Sequence, residues 1–330
     1  MDRRTFIIDV ALGVFVAPLA VRAQQTGKVY RIGFLGPANA SSWASYIAAL
    51  RQGLRELGYE EGKNLVIEYR WAEQDLDRLP KLASELVSLK VDLIVTDGTP
   101  GSRAAKQATT AIPVVMAAVG DPVRSGLVAS LARPGGNLTG NSIVEADLIL
   151  KRLQLVREVI PKASRLGFFY VPGTQIGAAA EASAKAVDDA AGSLGMRVHR
   201  FSIQEPTDLA SAFLTMAKER TDALLVRPDA LLVVQYGEIA RLGAQHRVPT
   251  VGGSVEFVEA GGLFAYGVNV AETYRHAAVY VDKILRGSKP ADLPIEQPTK
   301  YVLAINLKTA KALGLTIPQS LLLRADEVIQ

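Results

Sequence analysis

The side chains best suited to bind a small molecule lie in loops that follow apolar runs of the sequence. Residues 99–102 read Thr-Pro-Gly-Ser, which is typical of a helix start with Thr99 as N-cap and Pro100 at the first helical position. Free N–H groups at such a start attract an anion such as a carboxylate. The alternative is that Thr99 only caps its helix.

Two acidic residues occupy similar positions before other helices. Asp121 precedes a proline, so the sequence allows either simple capping or ligand contact. Asp229 follows Arg227-Pro228 and can cap its helix or bind a cation across a cleft. Aromatic rings add two candidates, since Trp43 can cover an apolar ligand and Tyr170 ends a strand. The predicted ligand-binding residues are Trp43, Thr99, Ser102, Asp121, Tyr170 and Asp229.

Motifs for covalent, metal or phosphate chemistry are missing from the sequence. The chain has no cysteine and only three histidines, which argues against thiolate nucleophiles, disulfides and His- or Cys-rich metal sites. Neither G-x-G-x-x-G after the first strand, nor G-K-[ST], G-x-S-x-G or H-E-x-x-H occurs. We therefore expect no catalytic residues, no cofactor and no metal.

The elements that would position these side chains come in two similar sets. The strand pattern at residues 31–35 (RIGFL) is repeated at residues 165–169 (RLGFF). Each copy is followed by alternating helices and near-continuous apolar strands, a pattern that predicts parallel sheets covered by helices on both faces. Ligands bind such sheets outside the carboxyl ends of the strands, so two facing lobes would form a cleft between them.

Length and composition agree with this α/β organisation. The 330 residues suggest about two domains, and 49% hydrophobic residues indicate sizeable cores. A net charge of +4 without a basic cluster argues against nucleic-acid binding. We assign residues 24–142 with about 267–295 to lobe one, and residues 143–266 with about 296–330 to lobe two.

The first 23 residues have the pattern of an export signal. Arg3 and Arg4 precede a short apolar run over residues 7–20, and Ala23 is a small residue at the predicted cleavage site. The paired arginines resemble the twin-arginine motif, with an ordinary Sec signal as the alternative. No later segment reaches 18 uncharged apolar residues, so we expect a soluble mature chain.

Several short motifs together resemble one known family, the ABC-transporter substrate-binding family that includes tryptophan- and tyrosine-binding members. These motifs lie at residues 23–25, 31–35, 53–59, 62–65, 112–115, 120–123, 134–140, 305–308 and 312–315. The resemblance implies a type I periplasmic binding protein, with two lobes joined by a multi-strand hinge. It further implies a periplasmic monomer that closes around an amino acid or related small molecule and delivers it to a membrane permease driven by a separate ATPase.

Two other functions stay open at this point. One is a ligand sensor that partners an extracellular receptor; a repressor is disfavoured because an export signal precedes the first strand. The other is an enzyme with its site in the cleft, such as a two-domain racemase. Cofactor-free racemases of that kind use paired cysteines, which this chain lacks.

Overall fold

The structure is a computed structural model that describes residues 28–143, 146–173 and 178–330. The export signal predicted over residues 1–23 lies outside these ranges. Within them the chain forms two sheets, one of five strands and one of seven, each flanked by helices. The predicted fold class, two α/β lobes with parallel sheets, is confirmed.

The five-stranded sheet of lobe one is entirely parallel, in the order β2-β1-β3-β4-β5. Its central strands are continuous apolar runs because helices cover both faces; all six residues of β4 are buried. Its strands are β1 (Tyr30–Gly36), β2 (Leu65–Trp71), β3 (Leu93–Asp97), β4 (Val114–Val119) and β5 (Leu138–Ser142). Its helices are α1 (Ala44–Glu56), α2 (Leu79–Ser88) after a 3-10 turn (Leu76–Arg78), and α3 (Gly98–Ala108).

The seven-stranded sheet of lobe two has the order β12-β11-β10-β9-β8-β6-β7. Its pairing departs from the expected all-parallel pattern at one place, where β10 runs antiparallel to β11. Its strands are β6 (Arg165–Tyr170), β7 (Arg197–Ser202), β8 (Ala223–Val226), β9 (Thr250–Gly252), β10 (Phe264–Gly267), β11 (Val302–Asn306) and β12 (Glu327–Ile329). Its helices are α4 (Ala146–Val159), α5 (Ala178–Ser193), α6 (Asp208–Glu219), α7 (Ala230–Val234), α8 (Tyr236–His246), α9 (Val255–Glu259), α11 (Leu307–Ala312) and α12 (Gln319–Leu322).

One helix after lobe two returns to lobe one. Helix α10 (Val270–Leu285) packs against α1, and Tyr274 and Val281 belong to the same buried cluster as residues of β1 and α1. The close approach depends on Gly53, because a Cβ there would overlap the carbonyl oxygen of Arg275. After a 3-10 turn (Pro290–Asp292) the chain passes beside β5 and enters β11. The chain thus crosses between the lobes three times.

The helices of the described ranges are short and amphipathic. Helix α1, for example, buries Tyr46, Ile47, Leu50 and Leu54 along one face. Within the ranges given above, we find no helix with the length and apolar content needed to cross a membrane.

Candidate functional site

A cavity of about 140 Å³ lies between the two lobes, at the carboxyl ends of their strands. Asp97 ends β3, Gly120 follows β4, Arg227 follows β8 and Ser254 follows β9, so loops of both sheets meet there, as parallel sheets favour. Most of the lining is apolar or aromatic. Those lining residues are Pro37, Trp43, Tyr46, Leu76, Pro100, Ala118, Val119, Ile143, Pro228, Ala230, Val233 and Val270.

The lobe-one side of the cavity is organised around Asp97. The hydroxyl of Tyr274, the indole N–H of Trp43 and the backbone N–H of Gly98 lie on its side of the cavity and favour the ionised form of its carboxyl group. Trp43 Nε1 donates its hydrogen bond to Tyr274 Oη at 2.9 Å. Burial raises the pKa of Asp97 to about 6, and these donors limit the rise. Tyr274 therefore fixes the ring of Trp43 in the cavity wall.

The raised pKa of Asp97 predicts a stability that depends on pH. Because the folded state holds this proton more tightly than the unfolded chain, the contribution is fully present below pH 4 and is lost as the pH rises to about 6. We expect the free energy of unfolding of wild type, measured relative to Asp97→Asn, to fall by roughly 1–3 kcal/mol across this range. Urea unfolding of both proteins between pH 4 and pH 7.5 measures it; a difference independent of pH would contradict the assignment.

The lobe-two side carries three polar atoms without a partner. Arg227 donates from Nη1 to Ser183 Oγ and from Nη2 to Asp229 Oδ1, both at 3.1 Å. Among the described residues no hydrogen-bond partner reaches Arg227 Nε, Asp229 Oδ2 or Ser254 Oγ. These residues are only 8%, 7% and 3% exposed, although all three line the cavity. Buried polar groups are normally satisfied, so this cluster calls for an explanation.

The two lobes touch across the cavity. Glu256 of α9 faces Tyr46 of α1, and burial together with the negative charge of this carboxylate raises the pKa of Tyr46 well above its usual range. Residues Ala230 and Val233 of lobe two pack against the buried cluster of lobe one. Contacts between the two lobes thus border the cavity.

Three of the six residues predicted from sequence line the cavity: Trp43, Thr99 and Asp229. Trp43 is 3% exposed and stands edge-on to Tyr46, with ring centroids 5.8 Å apart. Asp229 precedes α7 as expected, but its carboxylate pairs with Arg227 and makes no capping hydrogen bond.

The other three predicted residues lie outside the lining. Ser102 is buried and bonds to Gly98 O at 2.8 Å and to Thr96 Oγ1 at 2.9 Å. Asp121 accepts from the backbone of Val123 and Arg124, which is the capping alternative for this residue. Tyr170 packs against the core of lobe two.

The predicted helix start at Thr99 is wrong by two residues. Asp97 occupies the N-cap position and α3 begins at Gly98, whose φ of +67° favours glycine. Thr99 therefore lies inside the first turn. The carboxylate of Asp97 makes no side-chain capping hydrogen bond to α3.

Sequence reasoning missed four residues of the site: Tyr46, Asp97, Arg227 and Ser254. For two of them a local signal existed. Asp97 closes the apolar run Leu93–Asp97, and Arg227 directly follows the buried strand Ala223–Val226, so each is a charged residue at a strand's carboxyl end. The described residues contain no group of three or more His, Cys, Asp and Glu that could hold a metal ion.

Comparison with protein families gives one matching model. Residues 35–329 match the family described as ABC transporter substrate binding protein. A tyrosine-binding protein of Clostridioides difficile (strain R20291) is 30% identical over 264 residues, which cover 80% of this chain and 75% of that protein.

Solved structures of similar proteins differ in how well they superpose. The ABC domain from Streptococcus pneumonia in complex with L-Trp is 27% identical, with a TM-score of 0.83 over 91% of this chain and 99% of that one. The ligand-free, open structure of a substrate-binding protein with adhesive properties from Clostridium difficile is 26% identical, with a TM-score of 0.66 over 92% of this chain and 100% of that one. At nearly equal identity, the fold resembles the L-Trp complex more closely than the open structure.

Proposed function

Because the chain belongs to the ABC transporter substrate-binding protein family, we propose that it binds an aromatic amino acid between its lobes and delivers it to the transporter's permease. It is a solute-binding protein of an ABC transporter, and its family is one of binding proteins, not enzymes. Its fold is that of type I periplasmic binding proteins. The observation that carries the proposal is an interlobe cavity with an aromatic wall and unpartnered charged groups.

The aromatic part of this proposal is supported by the wall of the cavity. Trp43 and Tyr46 present two rings at an angle of 81°, next to apolar side chains of both lobes. Edge-to-face and offset packing of a third ring against such a pair is favourable beyond the area it buries. The relatives that bind tyrosine and L-Trp support the same ligand class.

The transport mechanism we propose is closure of the two lobes about the three crossings. Trp43 and Thr99 belong to lobe one and Asp229 to lobe two, so a ligand that contacts all of them is held only when the lobes are together. Such a ligand shifts the population toward the closed form. The closed form then presents a surface of both lobes to the permease.

We place this activity outside the cytoplasmic membrane. The proposal rests on the leader pattern of residues 1–23, with Arg3 and Arg4 as a twin-arginine motif and cleavage near Ala23. We also propose that the mature chain acts as a monomer. Cell fractionation with N-terminal sequencing tests the location: a full-length protein confined to the cytoplasm would contradict it.

The ligand class is tested by thermal denaturation of protein that has been refolded to remove any bound ligand. L-tryptophan, L-tyrosine or L-phenylalanine at 100 times its dissociation constant should add ~2.7 kcal/mol to the free energy of unfolding. The midpoint should rise by roughly 4 °C, because an unfolding entropy of about 2.1 cal/mol/K per residue amounts to about 0.65 kcal/mol/K for a chain of this length. L-leucine, an aliphatic amino acid, and glucose, a sugar, serve as controls. A shift with glucose and none with any aromatic amino acid would overturn the proposal.

A further inference from the structure

We propose that lobe two alone binds both charged ends of the ligand, with Arg227 and Ser254 on its carboxylate and Asp229 on its ammonium group. This inference rests on the proposed function, since it assumes that an amino acid occupies the interlobe cavity. It adds which part of the ligand each lobe recognises: lobe two the α-amino-acid head, and lobe one the aromatic side chain.

The unpartnered atoms of lobe two match an α-amino-acid head group. Arg227 Nε carries an N–H donor, the Ser254 hydroxyl supplies a second donor, and Asp229 Oδ2 is an acceptor. A carboxylate needs donors and an ammonium group needs an acceptor, so one zwitterion satisfies all three atoms at once. The guanidinium group of Arg227 is held in one orientation, because its Nη1 and Nη2 atoms donate to Ser183 and Asp229.

Lobe one offers no cationic side chain among the described lining residues of the cavity. Its charged lining residue, Asp97, is the N-cap of α3 and places a negative charge at the start of that helix, where the helix dipole would otherwise attract the ligand's carboxylate. Ser102 is used within its own turn. We therefore place the ligand's carboxylate on lobe two and not at residues 99–102.

The charges around the cavity favour a ligand with an ammonium group. Among the described lining residues the charged side chains are Asp97, Arg227 and Asp229, which sum to one negative charge when both carboxylates are ionised. A carboxylic acid without an amine would leave Asp229 Oδ2 buried and unpaired. An amine without a carboxylate would leave Arg227 Nε and the Ser254 hydroxyl buried and without a hydrogen-bond partner. The site thus discriminates amino acids from both analogues.

Calorimetric titration with three forms of one ligand tests the assignment: the L-amino acid, its deaminated acid and its decarboxylated amine. We expect Asp229→Asn to bind the amino acid and the amine about 30-fold or more weakly than wild type does, while the acid binds equally well or better. Ser254→Ala should weaken the amino acid and the acid by about 10-fold and leave the amine unchanged. Asp121→Asn is the matched control, because its carboxylate does not line the cavity; binding should stay within about threefold.

The ligand-by-variant pattern separates head-group recognition from general loss of structure, because misfolding would weaken all three ligands alike. If either variant does not fold, wild type alone must bind the acid and the amine at least about 30-fold more weakly than the amino acid. Equal weakening of acid, amine and amino acid by a folded Asp229→Asn would overturn the inference. Wild type that binds aliphatic amino acids in this pattern would support the head-group assignment and overturn the aromatic one, whereas wild type that binds no amino acid overturns both.

Discussion

The Trp43→Ala variant is expected to bind an aromatic amino acid at least about 100-fold more weakly than wild type. Trp43 is nearly fully buried in the cavity wall and its indole N–H donates to Tyr274, so the ring is rigidly held before the ligand arrives. Rigid, desolvated tryptophans at the centre of a binding site typically contribute more than 2 kcal/mol each. A loss of about 2.7 kcal/mol corresponds to the expected factor.

Trp71 offers a matched control for this substitution. It packs against Phe34 and Tyr69 at the edge of lobe one and does not line the cavity. Trp71→Ala should destabilise the fold yet bind ligand within about threefold of wild type. Trp43→Ala should also lose about 3–5 kcal/mol of stability, so both titrations are run where circular dichroism shows folded protein. A folded Trp43→Ala with unchanged affinity would remove this ring from the site.

The Gly267→Ala variant is expected to lose about 3 kcal/mol or more of its free energy of unfolding. Gly267 ends β10, and a Cβ there would overlap the carbonyl oxygen of Gly253 and press on the side chain of Arg152. A backbone carbonyl in a packed sheet cannot rotate away as a side-chain tip can, so the strands must separate. Gly253, which the added Cβ would displace, directly precedes Ser254 of the cavity, so ligand binding should weaken as well.

Gly237→Ala provides the contrast. Gly237 is an exposed residue of α8, and a Cβ there meets nothing within 4 Å. Alanine in an open helical position should stabilise the protein by roughly 0.5–1 kcal/mol. Urea unfolding followed by far-ultraviolet circular dichroism compares the two variants with wild type. If the free energy of unfolding of Gly267→Ala lies within about 1 kcal/mol of the wild-type value, the backbone at Gly253 can move to make room for the added Cβ, and the expectation is wrong.

Much of the fold could be predicted because the pattern that encodes it is local. The fully apolar β4 and the one-sided helix α1 are what buried parallel strands and their covering helices require. The antiparallel pairing of β10 with β11 could not be predicted in this way. The direction of β11 depends on the path by which the chain returns from lobe one, and that path cannot be deduced from the local sequence of either strand.

The candidate site was less predictable, because it also depends on contacts between residues that are far apart in the sequence. Sequence reasoning found side chains in the correct loops, such as Trp43 and Asp229, because strand ends are visible in the sequence. It did not separate Asp229, which lines the cavity, from Asp121, which caps its own turn. It also missed Asp97, whose surroundings include Tyr274 from a helix made much later in the chain. Burial and partner choice at these positions are tertiary properties.

The return of α10 to lobe one has a consequence for the order in which the protein can fold during synthesis. The core of lobe one is incomplete until the ribosome has released residues 270–285, by which time most of lobe two has already emerged. Lobe two in turn lacks its edge strand until residues 327–329 are made. Multidomain chains often fold from the N-terminus as each domain appears. Here both lobes must wait: lobe one is complete only after residue 285 has emerged, and lobe two only after residue 329.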